Sequence, residues 1–247
     1  RQGGNLGNME NYMKKLAALS VILIFLLFIL VKTGLSKENI ELVSPFLPQE
    51  KVLGISQWFP QSTNGVWKDA PQISAESALF IDTRTGQVLF SKNPNKRLPI
   101  ASLVKVMTVL IALEHKSMDA EFTVSKKAAD IEPDKMLLIA GEKLTLKELL
   151  SGIFLVSAND AAEVLAEGTT GNREEFVKLM NRKVQQLGVK DTHFVNPTGL
   201  DEDSNNSYST VYDLAVLTRY LIKHFPHVVD ISSTEHIYLP QTSTHQD

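Results

Sequence analysis

Ser102-Leu103-Val104-Lys105-Val106-Met107-Thr108-Val109-Leu110-Ile111-Ala112-Leu113 is a run too apolar for a surface helix. A helix that is apolar nearly all round is buried in the centre of its domain, so a lysine inside it has to be accounted for. Residues at i and i+3 share a helix face, and the Ser102 hydroxyl can therefore meet the Lys105 amine. Burial disfavours an ammonium and pushes its pKa down. A neutral amine beside a serine is what an activated hydroxyl nucleophile requires. The competing reading is a helix N-cap serine followed by a snorkelling lysine. Chance alone supplies about one Ser-x-x-Lys in a chain of this length, so the surrounding sequence has to decide.

The 247 residues contain no cysteine, carry a formal net charge of -3 and are 43% apolar. That suits one globular domain with a sizeable core, plus extras. The near-neutral balance lacks the basic field that nucleic-acid binding needs. Without cysteine, thiolate chemistry and Cys-based zinc sites are excluded. Leu16 to Val31 is an uncharged run entered by Lys14 and Lys15 and left at Lys32. Its length falls between a signal-peptide core and the roughly 20 residues of a spanning helix. Residues 16–32 therefore read as a transmembrane signal anchor or a signal peptide, with 1–15 held in the cytoplasm by the basic flank. The rest of the chain is expected to work outside the cytoplasmic membrane, tethered to it, or secreted if the signal is cleaved. The chain opens at Arg1 rather than at a methionine, which reads as a fragment.

Residues 33–72 hold Pro45, Gly54, Pro48, Pro60 and Pro71 with no sustained period, and read as a linker. Regular structure is expected from residue 73. Ala78-Leu79-Phe80-Ile81-Asp82 and Gln87-Val88-Leu89-Phe90-Ser91 flank Thr83-Arg84-Thr85-Gly86, a hairpin pattern. Thr145-x-x-Glu148 is a capping box before the helical face Leu146, Leu149, Leu150, Ile153 and Phe154. That helix should stop near Val156, because Asp160-Ala161-Ala162-Glu163 reads as a second capping box, opening a helix that ends at Gly168. Further helices carry Phe176, Leu179, Met180, Val184 and Leu187, closing at Gly188, and Leu214, Leu217 and Leu221, starting near Thr210. Two strands do not make an independently stable sheet, so further strands are expected beyond residue 247.

The Ser-x-Asn triplets include Ser62-Thr63-Asn64, Ser157-Ala158-Asn159 and Ser204-Asn205-Asn206. The first lies in the linker and the third in a polar run that reads as solvated loop. Only the second is held in a turn between two helices on an apolar scaffold, so its polar side chains are expected to face a site. His193 reads as a structural histidine, Asn196-Pro197-Thr198-Gly199 as turn chemistry, and Asp130, Glu132 and Asp134 as solvated acids rather than metal ligands.

Ser102-x-x-Lys105 followed by Ser157-x-Asn159 resembles the first two signatures of the serine penicillin-recognising enzymes, whose third is Lys-Thr-Gly. The resemblance is strongest to the low-molecular-mass D-alanyl-D-alanine carboxypeptidases. Its segments are Ser77 to Gly86, Pro99 to Thr108, Leu155 to Ala162 and Thr192 to Leu200, in the family's order over about residues 73 to 240. It implies an α+β, β-lactamase/transpeptidase-like fold: an antiparallel sheet packed with helices plus a helical subdomain, its C-terminal strands missing from this chain, with residues 73–247 a truncated D,D-peptidase domain. Lys32-Thr33-Gly34 is the one Lys-Thr-Gly present. It precedes the nucleophile at the membrane boundary and reads as accidental, so the third signature is expected after Asp247.

The resemblance implies Ser102 as acyl-ester nucleophile, Lys105 as general base, Ser157 as proton relay and Asn159 as a substrate contact. It implies no cofactor and no metal. The Ser102 backbone N–H is expected to form half of an oxyanion hole. The implied partners are peptidoglycan stem peptides ending in D-Ala-D-Ala, β-lactams as their mimics, and the membrane through residues 16–32; no nucleic acid is implied. Two alternatives stand beside this reading. A β-lactamase needs an added acid that activates the deacylating water. A membrane-tethered penicillin sensor or inactive scaffold usually needs an output element that about 15 N-terminal residues do not supply.

Overall fold

The computed structural model describes residues 72–201 and 207–239, all within the unit Pro48–Asp247. The hydrophobic run at 16–32, Lys32-Thr33-Gly34, Ser62-Thr63-Asn64, Ser204-Asn205-Asn206 and all but the last residue of the 33–72 linker lie outside the described residues. Among the described residues no helix is long and apolar enough to cross a membrane.

The hairpin forms as the sequence predicts. β1 (Ala78–Ile81) pairs antiparallel with β2 (Val88–Lys92), with a register irregularity between Phe80 and Ile81. Asp82 organises the turn: its Oδ1 accepts from the backbone N–H groups of Arg84 and Thr85 and from Thr85 Oγ1, and this bonding holds its carboxyl below the usual range. Gly86 follows at φ +80, the left-handed conformation glycine tolerates without strain.

β3 (Leu98–Pro99) leads into a 3-10 turn, Ala101–Val104, which passes directly into α1 (Lys105–His115). The expected helix therefore opens tightly, with Ser102 on its 3-10 entry and Lys105 as the first α-helical residue. Val104 and Met107 to Leu113 are all buried. This single helix packs against four others, α3 (Leu146–Val156), α4 (Asn159–Thr170), α5 (Arg173–Gln186) and α6 (Val211–His224). Burying a Leu, Ile or Met side chain contributes about 1.5–3 kcal/mol each, which explains why the sequence here has almost no polar residues to spare. Glu114, at the far end of α1, joins α5 and α6 by accepting from Lys183 Nζ at 2.7 Å and Tyr220 Oη at 3.1 Å.

Around this core lie β4 (Glu121–Thr123) paired with β5 (Lys143–Thr145), the short helices α2 (Lys126–Ala129) and α7 (His227–Ser232), and β6 (Tyr208–Ser209), which pairs with β3. The Thr145 capping box is present in both directions. The second expected box is not. α4 starts two residues earlier than that box requires, at Asn159, so Asp160 lies inside the helix and its carboxylate serves a neighbouring loop. Nor does α4 end at Gly168; it runs to Thr170 and stops at Gly171, which has φ +86. Gly168 is instead a packing glycine, since a Cβ there would fall 2.3 Å from Phe122 Cδ1.

Candidate functional site

The entry to α1 packs against the 196–200 turn, and the α3–α4 turn is linked to Lys105 through Asp134. Ala101 has φ +44, a left-handed conformation unusual for alanine and costing about 1 kcal/mol or more. It precedes Ser102, which is exposed, whereas Lys105, one helical step inward, retains only 4% of its surface. Lys105 Nζ lies 3.0 Å from Ser102 Oγ and donates to the Thr198 carbonyl at 2.9 Å. Burial lowers its pKa from 10.5 to about 8, against the opposing influence of the Asp134 carboxylate. The i, i+3 spacing thus joins an accessible hydroxyl to a desolvated amine.

The α3–α4 turn carries the second pair of expected residues. Ser157 caps α3 in the left-handed conformation, φ 58 and ψ 33, which ends one helix and permits the next to begin two residues later. Among the described residues no hydrogen bond joins Ser157 to Ser102 or Lys105. Asn159 is 1% exposed. Its backbone N–H donates to Asp134 O at 2.7 Å, and its Nδ2 to Pro133 O at 2.6 Å. Its Oδ1 is buried without a partner, an acceptor held in reserve.

Asp160, fully buried, holds the loop that receives Asn159. Its carboxylate accepts from the N–H groups of Met136 and Leu138, each at 3.1 Å, and from Ala161 at 2.8 Å. Asp134 therefore touches both halves of the site, through its carbonyl to Asn159 and through its charge to Lys105. Asp130, Glu132 and Asp134 are exposed, and Glu132 pairs with Lys135 at 2.5 Å. Sequence reading passed over Asp134 and Asp160 as members of the site because their roles depend on main-chain contacts.

It also saw only a turn in 196–199, whose carbonyls face α1. Lys105 and Thr108, themselves i and i+3, donate to consecutive carbonyls of Thr198 and Pro197, the latter at 2.6 Å. His193 is exposed and bridges Tyr208 through its backbone, so it does not join Ser102.

Residues 64–247 match the family described as D-alanyl-D-alanine carboxypeptidase, peptidase S11. The chain belongs to that family. It is 43% identical over 155 residues to the Bacillus subtilis D-alanyl-D-alanine carboxypeptidase DacF, covering 61% of this chain and 39% of that protein. The crystal structure of the Mycobacterium tuberculosis H37Rv D-alanyl-D-alanine carboxypeptidase aligns with a TM-score of 0.66 at 31% identity, covering 71% of this chain and 66% of that one. Penicillin-binding protein D2 from Listeria monocytogenes in its ampicillin-bound form aligns at 0.60 and 31% identity, over 67% and 68% of the two chains. The chain spans about two fifths of the length of the curated carboxypeptidases it matches. The D,D-carboxypeptidase family resemblance and the α+β, penicillin-binding-protein-like fold expected from the sequence both stand.

Proposed function

We propose that this chain carries the acylating half of a serine D-Ala-D-Ala carboxypeptidase that trims peptidoglycan stem peptides. The observation that carries it is the contact of a desolvated Lys105 amine with Ser102 Oγ. With a pKa of about 8, about a tenth of Lys105 is neutral at pH 7, some 300-fold more than for an ordinary lysine.

Ser102 Oγ attacks the carbonyl of the penultimate D-alanine as Lys105 Nζ takes its proton, and the Ser102 N–H serves as one oxyanion donor. Collapse of the tetrahedral intermediate breaks the C–N bond. The proton held on Lys105 passes through the Ser157 hydroxyl to the leaving nitrogen, releasing D-alanine; water then hydrolyses the acyl-enzyme. Asn159 Oδ1, buried and unpartnered, is suited to accept from the substrate amide or from Lys105 once protonated. β-Lactams acylate Ser102 as mimics of the dipeptide, a reading supported by the ampicillin-bound Listeria relative. Residues 16–32 tether the enzyme to the membrane, with the catalytic domain outside the cytoplasm.

The test is release of D-alanine from a synthetic pentapeptide ending in D-Ala-D-Ala by the full-length protein. Stoichiometric release that is lost in Ser102→Ala supports the assignment. Full-length wild type that binds penicillin covalently but releases no D-alanine would instead make it a sensor or scaffold.

A further inference from the structure

Asn196 is completely buried, and both polar atoms of its side chain bond within its own turn. Its Oδ1 accepts from Gly199 N at 2.6 Å and from Thr198 N and Thr198 Oγ1 at 3.2 Å each, while its Nδ2 donates to Leu200 O at 2.7 Å. An asparagine used this way fixes the 197–198 and 198–199 peptide units, whose N–H groups it holds. One of these units presents the Thr198 carbonyl to Lys105.

The turn is also pressed against the nucleophile. Gly199 has φ +85, and a Cβ there would lie 1.9 Å from the Ala101 carbonyl oxygen and 3.1 Å from Ser102 N. From the other side, Thr108 Oγ1 holds the Pro197 carbonyl at 2.6 Å. The 196–200 segment thereby lies against both α1 and the backbone entering Ser102.

We propose that Asn196 is a positioning residue for the Ser102–Lys105 pair: it templates the turn that aims the Thr198 carbonyl at Lys105 Nζ and so anchors the amine beside Ser102 Oγ. The reason is valence. A neutral amine has two N–H bonds and one lone pair, and rotation about Cε–Nζ is otherwise free. A carbonyl oxygen can only accept, so it commits an N–H to itself. One N–H and the lone pair remain, and the nitrogen is held 3.0 Å from Ser102 Oγ, where the lone pair can take the hydroxyl proton. Without the carbonyl, the amine is free to swing away from Ser102 and lose its competence as a base. This inference rests on the serine-acylation reading proposed above.

The test is penicillin acylation of the full-length protein, with the covalent rate constant separated from pre-covalent affinity and both normalised to titrated active sites. Asn196→Ala should lower the covalent rate on the order of 100-fold with affinity unchanged, the scale of a misplaced catalytic group. Thr108→Val releases the Pro197 carbonyl of the same turn without touching Asn196 and should lower the rate in the same direction. Asn181→Ala is the control: its side chain holds Phe194 at the start of the segment, at 2.8 and 3.0 Å. It should cost stability but leave the rate per titrated site unchanged.

Unchanged per-site rates in both Asn196→Ala and Thr108→Val would overturn the proposal. So would an equal loss in Asn181→Ala, since general loosening would then explain it. Wild type that fails to acylate at all would refute the serine reading itself, and the positioning role with it.

Discussion

Replacing Lys105 by methionine keeps the length and apolar stem of the side chain and removes its charge. In the wild type the amine titrates at about 8 in the folded protein against 10.5 for an ordinary lysine, so the folded state resists protonation. At about 1.4 kcal/mol per pH unit, that gap makes the buried ammonium cost about 3 kcal/mol at pH 7. Below pH 8 both folded and unfolded chains hold the proton, and the penalty is fully present. Between pH 8 and 10.5 the unfolded chain binds more protons, so wild-type stability rises with pH; above 10.5 the penalty is gone.

Lys105→Met loses the bond to Thr198 O, leaving a buried carbonyl unsatisfied at about 1–3 kcal/mol. The variant should therefore match or exceed wild-type stability near pH 7 and lose about 2–3 kcal/mol relative to it by pH 10. Urea unfolding of both proteins across that range reads the difference directly, because all other titrating groups cancel. A difference that stays flat from pH 7 to 10 would mean an ordinary lysine, and the argument for Lys105 as a base would fail.

Asp160→Ala removes the acceptor for three buried or half-buried N–H groups. It should cost about 3 kcal/mol or more, read as a fall in the urea midpoint, and should free the 133–138 loop to hydrogen exchange; unchanged protection there would refute its role as anchor. Gly168→Ala should destabilise by about 1–2 kcal/mol, because Phe122 is buried and cannot yield, so overpacking outweighs the gain in helix propensity. Gly152→Ala meets only the flexible Met136 side chain, its Sδ at 2.3 Å. Thermal melts should rank it above Gly168→Ala, and the reverse order would contradict this account of the packing.

What the sequence made legible was whatever depends on periodicity and local chemistry. The buried α1, the β1–β2 hairpin, the Thr145 capping box and the Ser102–Lys105 contact all follow from spacings of two, three or four residues. The errors share a cause. Asp160 and Gly168 carry local signals for a helix start and a helix end, but tertiary partners recruit both: two distant loop N–H groups claim the carboxylate, and the Phe122 ring needs the missing Cβ. Likewise Asn196-Pro197-Thr198-Gly199 is a turn, as its composition says. That one of its carbonyls would reach a lysine distant in sequence is a property of packing, and no local pattern encodes it.

The central claim is that Ser102 becomes covalently acylated through Lys105. Mass spectrometry of proteolytic fragments after incubating the full-length protein with benzylpenicillin tests it most directly. The account predicts one adduct, on the peptide containing Ser102, absent from Ser102→Ala and slowed by several orders of magnitude in Lys105→Met. An adduct on another residue, or undiminished labelling of either variant, would contradict it.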